Sequence, residues 1–311
     1  MAPATYAVEP SPTGPPYRLW AETGDGEAAR QGVYAPRYSV SFGARDRIVI
    51  APGDTRSMTF ILDKCEGYCM GVDGRAGPNL ACEECGRAVA TRMDDCGLWQ
   101  VVWLEPGAVV RRDSGLPPVP PPDWDDLAEA GHRVPPVEPD GRWSRRWEAA
   151  LGVVLAHLVA VTGDRPVTLP PGPVRELLGF AVAKCLAPDP ETRSLDLAGP
   201  GIPVPDPRPD ILLVPRHPLT GEPWSPPGDA EAVVVPLDSG VWAYLVHPDE
   251  LSPLPTTGTL PPGVLRDDYP LPPHPSYQLI PNRHAFTETL IRLPAIRDPR
   301  LRNRRQSDRP L

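Results

Sequence analysis

Proline sets the first limit on what this chain can fold into. There are 47 prolines among 311 residues, beside 27 glycines. Each proline fixes its own φ and removes a backbone N–H, so a proline-dense stretch cannot build a long helix or a central strand. Their distribution is uneven. Eight fall in residues 115–139, including the run Pro117-Pro-Val-Pro-Pro-Pro122, and 23 more fall in residues 188–281. The first group predicts a stiff, extended spacer. The second predicts short elements only. A wholly disordered chain is excluded, because 41% of the residues are hydrophobic and the net charge is only −9. Packed elements joined by much extended backbone are the expectation.

Five segments follow. Residues 1–37, rich in Pro, Gly and acidic side chains, read as an extended, irregular N-terminal segment. Residues 38–114 read as a small antiparallel β unit, with strands at Tyr38–Phe42, Arg47–Ala51, Ser57–Leu62 and Leu98–Leu104. On the last of these, Trp99, Val101 and Trp103 share a face and read as a core ridge. Residues 115–139 are the linker. Residues 140–296 read as a mixed domain. Its first helix, Trp143 to Thr162, ends at Gly163, and its second, Val174 to Ala187, is opened by Pro173; the pair reads as an antiparallel helical hairpin. Short strands are expected at Ile211–Val214, Ala232–Val235 and Val241–Val246, the last two joined by an Asp238-Ser-Gly240 hairpin turn. A short helix is expected over 285–293. Residues 297–311, with six arginines against two aspartates, read as a solvated, disordered basic tail. The fold class is therefore α+β.

Five of the six cysteines lie within 32 residues: Cys65 and Cys69 as C-x3-C, Cys82 and Cys85 as C-x2-C, then Cys96. Paired cysteines separated by a dozen residues have the ligand spacing of a structural zinc site. A C-x2-C turn aims two thiolates at one point, and the glycine that follows, Gly86, permits the left-handed backbone such a turn prefers. Thiolates favour Zn2+ over magnesium or calcium. Four thiolates fill a tetrahedron, so Cys65, Cys69, Cys82 and Cys85 are assigned as ligands, with Cys96 as an alternative. Over residues 65–96 alone the arrangement resembles zinc ribbons in general. Inside it, Asp73, Arg75 and Asn79 occupy a glycine-rich loop of the kind that carries recognition. Cys185, remote from the others, reads as a buried small hydrophobe.

The acidic balance argues against a general polyanion binder, leaving the arginine-rich tail as the one place for nucleic-acid contact. Two lysines against 29 arginines reads as compositional bias. The start MAPATYAVEP has neither the basic nor the apolar region of a secretory signal, and the most apolar stretch, Ala149–Val161, falls short of the roughly 20 residues of a membrane span. A cytoplasmic protein is expected. There is no G-x-S-x-G, no P-loop, no G-x-G-x-x-G and no H-E-x-x-H. The histidines read as surface residues. The function expected is that of a zinc-stabilised binding or adaptor protein with a protein partner. Two alternatives are an enzyme whose site is assembled from loop residues such as His217, His247, Asp249 and His284, and a zinc–thiol redox switch in which Cys96 exchanges into the site.

Overall fold

A computed structural model describes residues 14–43, 47–65, 72–94, 100–110, 112, 115, 122–130, 133–138, 141–163, 165–186, 191–227, 232–247, 275 and 277–306. The architecture is mixed α+β, and the chain divides into two compact units, residues 4–118 and 119–311.

The first unit opens on β1 (Tyr17–Leu19) and α1 (Trp20–Arg30), where an irregular segment is expected from the sequence. Burial explains the order: Ala28, Val33 and Ala35 are almost wholly enclosed and tie α1 and the residues after it to the unit. β1 pairs antiparallel with β2 (Ser39–Ser41). The remaining strands are β3 (Ile48–Ile50), β4 (Met58–Phe60), β5 (Leu80–Cys82), β6 (Ala88–Met93) and β7 (Val101–Leu104), antiparallel throughout in the order β3-β7-β6-β5-β4. Leu80, Val89, Ala90 and Val102 form the core of one face, joined by half-buried Ile50, Met58, Cys82 and Leu104. Trp103 points to the other face, where it is buried beneath Gly14. A Cβ on Gly14 would stand 2.5 Å from the Trp103 ring, so only glycine allows this approach. Arg47 fastens the same segment by donating to the Pro15 carbonyl while it pairs with Glu105. Trp99 lies outside the described residues.

In the second unit α2 (Trp124–Ala130) precedes α3 (Arg145–Thr162), the central helix, which ends at Gly163 in the left-handed region as its sequence requires. Trp147, Leu151, Leu155 and Leu158 on α3 are 0–1% exposed. After α3 come β8 (Val167–Thr168), α4 (Pro173–Cys185), β9 (Arg193–Leu197), β10 (Ile211–Arg216) and β11 (Val233–Asp238). The four strands form one sheet, ordered β11-β10-β9-β8, and every pairing is parallel. Both strand prolines sit where a missing N–H does least harm. Pro236 is on the edge strand, and Pro215 lies past the residues that β10 pairs with β9.

The structure departs from three further expectations. The chain does not turn back at Asp238-Ser-Gly240. Asp238 ends β11 and caps α5 (Ser239–Val246), its Oδ1 accepting the amides of Gly240 at 2.9 Å and Val241 at 3.2 Å. The run Val241–Val246 is therefore helix, and its apolar residues are explained by burial of Val241, Trp242, Tyr244 and Leu245. Nor are α3 and α4 a simple hairpin. They touch, but the chain between them enters the sheet as β8, and α3 packs chiefly along α6 (Arg283–Leu290). Finally, residues within 297–311 are ordered into α7 (Pro299–Gln306). Asp298 accepts the Arg300 amide at its start, and Ile296 and Leu301 anchor it at 0% and 4% exposure. Among the described residues no helix is long and apolar enough to cross a membrane.

Candidate metal centre

Cys82 closes β5, and the four-residue corner Cys82-Glu83-Glu84-Cys85 turns the chain into β6. The backbone fixes this corner tightly: the Cys82 amide donates to Arg87 O at 2.9 Å, the Gly86 amide donates to Cys82 O at 2.9 Å, and Gly86 takes φ +70°. The polar groups of the turn, the Cys85 amide first and then the Glu84 amide and the Cys85 thiol, hold the Cys82 thiol below its usual range. Cys85 is exposed and Cys82 half-buried. The corner thus presents two sulfurs at the surface, one of them on a thiol made more acidic than usual. That is the donor chemistry Zn2+ requires, and a corner of this kind supplies two of four tetrahedral ligands.

Cys65 is placed elsewhere. β4 and β5 pair with Met58 opposite Cys82 and Phe60 opposite Leu80. Cys65 follows β4 beyond its Phe60 end, after a 3-10 turn, whereas Cys82 and Cys85 stand at the Met58 end. Its Sγ lies 3.4 Å from Ile61 O, and burial pushes its thiol up. The structure brings Cys82 and Cys85 together and does not bring Cys65 to them; Cys69 and Cys96 lie outside the described residues. Among the described residues no three His, Cys, Asp or Glu side chains gather as a metal-ion group. None of the four described cysteines is in a disulfide, and Cys185 is buried in α4 with its pKa pushed up to about 12.

The glycine-rich loop turns Asp73 and Asn79 inward and leaves Arg75 exposed. Asn79 is wholly buried, its Nδ2 donating to Arg92 O at 2.9 Å and its Oδ1 accepting the Arg92 amide at 2.7 Å, so it pins the loop to β6. Asp73 is buried too, accepting the Arg75 amide at 2.9 Å and pairing with that guanidinium at 3.3 Å. Both residues shape the loop.

The histidines separate in the same way. His217 is buried, contrary to its reading as a surface residue. Its Nδ1 accepts the amides of Leu219 and Thr220 at 3.2 and 3.1 Å, so Nε2 carries the proton, which it donates to Pro122 O at 3.0 Å. Trp124 meets the ring edge-on. With both nitrogens engaged, His217 fastens the loop after β10. His247 and His284 are exposed on different elements, and Asp249 lies outside the described residues. His157, on α3, has its pKa pushed down to about 4 by burial and, secondarily, by the Arg216 charge. Sequence reading offered no signal for it, since one histidine in an apolar helix carries no spacing. Compared with protein-family models, curated proteins and solved structures, the chain matches none.

Proposed function

We propose that this is a zinc-stabilised binding or adaptor protein, in which a structural Zn2+ ion secures the first unit. The observation that carries the reading is the Cys82–Cys85 corner, where two cysteines stand at the surface on one glycine-closed turn. Cys82 and Cys85 form one half of the ligand set, and Cys65 and Cys69 the other, with Cys96 as the alternative. Because Cys65 leaves the sheet from the far end of β4, closure of the site requires metal binding to draw the 65–69 segment toward the corner. Movement of Cys65 and metal uptake are then one event. The ion is structural in this reading: four thiolates leave no open position on it.

Support for binding comes from the edge of the sheet. β3 is an outer strand, and its Ile48 and Val49 are 43% and 47% exposed. An outer strand with apolar side chains is a template for strand addition by a partner. Elemental analysis of the purified chain, followed by Co2+ substitution, tests the metal. One ion per chain with the visible spectrum of a tetrahedral thiolate site is expected, lost in Cys82→Ser and Cys65→Ser. A metal-free, fully folded chain overturns the reading.

A further inference from the structure

We infer that the exposed arginines Arg297, Arg300 and Arg302, with Arg165 beside them, bind the phosphate backbone of nucleic acid without regard to sequence. The chain carries a net charge of −9, yet residues 283–306 hold seven arginines against only Glu288 and Asp298, and Glu288 is buried. Charge is thus segregated along the sequence, and of these arginines Arg297, Arg300 and Arg302 are exposed around the start of α7. At physiological ionic strength acids more than about 8 Å away are largely screened, so the local charge governs what docks here. Ordering of the end of the chain makes the face possible. Ile296 and Leu301 hold the 3-10 turn at 294–297 and α7 against the body, while Arg297, Arg300 and Arg302 stay exposed. Beside them lies a cavity of about 590 Å3, lined by Arg165 and Arg300 and by Glu191 and Asp298. Arg165 pairs with Glu191 at 3.2 Å, but both side chains are substantially exposed, and so open an ion pair is readily exchanged for a phosphate.

The makeup of the face selects the partner class. Protein interfaces are anchored by apolar and aromatic side chains in a desolvated centre. Here the apolar residues of the segment, Ile296 and Leu301, are turned inward and used. A membrane surface asks for an apolar side on a basic helix, and that side of α7 is likewise occupied. Guanidinium groups without an apolar anchor suit phosphates, where release of counterions drives binding and no base need be read.

The test is fluorescence anisotropy of the full chain with a labelled 20-base-pair duplex and a labelled single strand, both of arbitrary sequence. Three phosphate contacts, made by Arg165, Arg300 and Arg302, give a log–log salt slope of about −2.7, or roughly 40-fold weaker binding at 200 mM than at 50 mM salt. Arg300→Ala with Arg302→Ala leaves a slope near −0.9, about a 3.5-fold loss over the same range, with the melting temperature of the second unit retained. Arg30→Ala with Arg56→Ala removes the same charge from the first unit and leaves binding unchanged. Absence of binding at 50 mM salt, an equal loss in the first-unit control, or displacement of the duplex by polyglutamate as effective as by unlabelled duplex each overturns the inference. The last outcome assigns the face to an acidic polypeptide. Metal content of the same samples is read separately, so failure here leaves the zinc proposal standing.

Discussion

The two units differ in how much of their order the protein interior provides. In the second, α3 alone encloses one tryptophan and three leucines at 0–1% exposure, and a parallel sheet with α4 and α6 packs around it. In the first, the sheet core rests on Leu80, Val89, Ala90 and Val102, while Ile48, Val49, Phe60 and Leu62 remain exposed. Strands mostly of three residues on so thin a core bury little apolar surface, and small units of this kind draw on staples such as metal sites. The difference teaches where to look for an added constraint. The unit with the poorer interior is the one that carries the clustered thiols.

The largest expected effect addresses that contrast directly. A structural zinc site contributes about 10–16 kcal/mol, against roughly 5–15 kcal/mol for a whole domain. On the zinc proposal, chelation, or Cys82→Ser with Cys85→Ser, collapses the amide dispersion of residues 4–118 and leaves that of 119–311 intact. Native dispersion in both units after chelation would break the comparison. Next, Leu155→Ala in α3 lowers the stability of the second unit by about 4 kcal/mol in denaturant melts, since it opens a cavity among wholly buried neighbours. The first unit's transition stays where it was.

A third expectation concerns acid. His157 titrates near 4 in the folded chain, below the roughly 6.5 of an exposed imidazole. The unfolded chain therefore takes up the proton first, and stability is present above about pH 6.5 and declines as pH falls toward 4. The loss reaches at most about 3 kcal/mol. His157→Gln flattens that limb in melts of the second unit while the first unit's pH dependence is unchanged. Smallest is Leu62→Ser, at a side chain 78% exposed on the first unit. Its effect on stability stays within about 0.5 kcal/mol in the same melts. A larger loss would show that this surface is covered in solution and that the first unit is better packed than its exposed apolar residues imply.

What could be read from the sequence was what depends on local chemistry. The Cys82–Gly86 corner is set by two cysteines, their spacing and a glycine, and it forms as those residues dictate. The long helix of α3, closed at Gly163, was equally legible because its apolar residues run without a breaker. Other elements depend on partners distant in the chain. β5 and β6 pair around an irregular register at Leu80 and Ala81, so neither shows a clean alternation. Val241–Val246 buries four of its six residues, and a short run that is apolar throughout carries no period by which helix and strand can be told apart. The arginines of α7 mask a helix whose order comes from two inward side chains, Ile296 and Leu301. Placement of Cys65 was invisible for a similar reason, because spacing says which sulfurs are near in sequence and the β4–β5 register says which end of a strand pair they leave from.

The seam between α3 and α6 has one more consequence. The Asn282 amide donates to Glu148 O at 2.7 Å, and Asn282 O approaches α3 so closely that a Cβ on Gly152 would stand 2.5 Å from it. The two sides of this joint are separated by most of the second unit's length. During synthesis at about 5–20 residues per second, α3 therefore emerges on the order of ten seconds before the helix that covers it. Until then its apolar flank stays open to other nascent chains. Any event that halts translation short of α6 leaves a product with that flank uncovered, a substrate for chaperones and proteases.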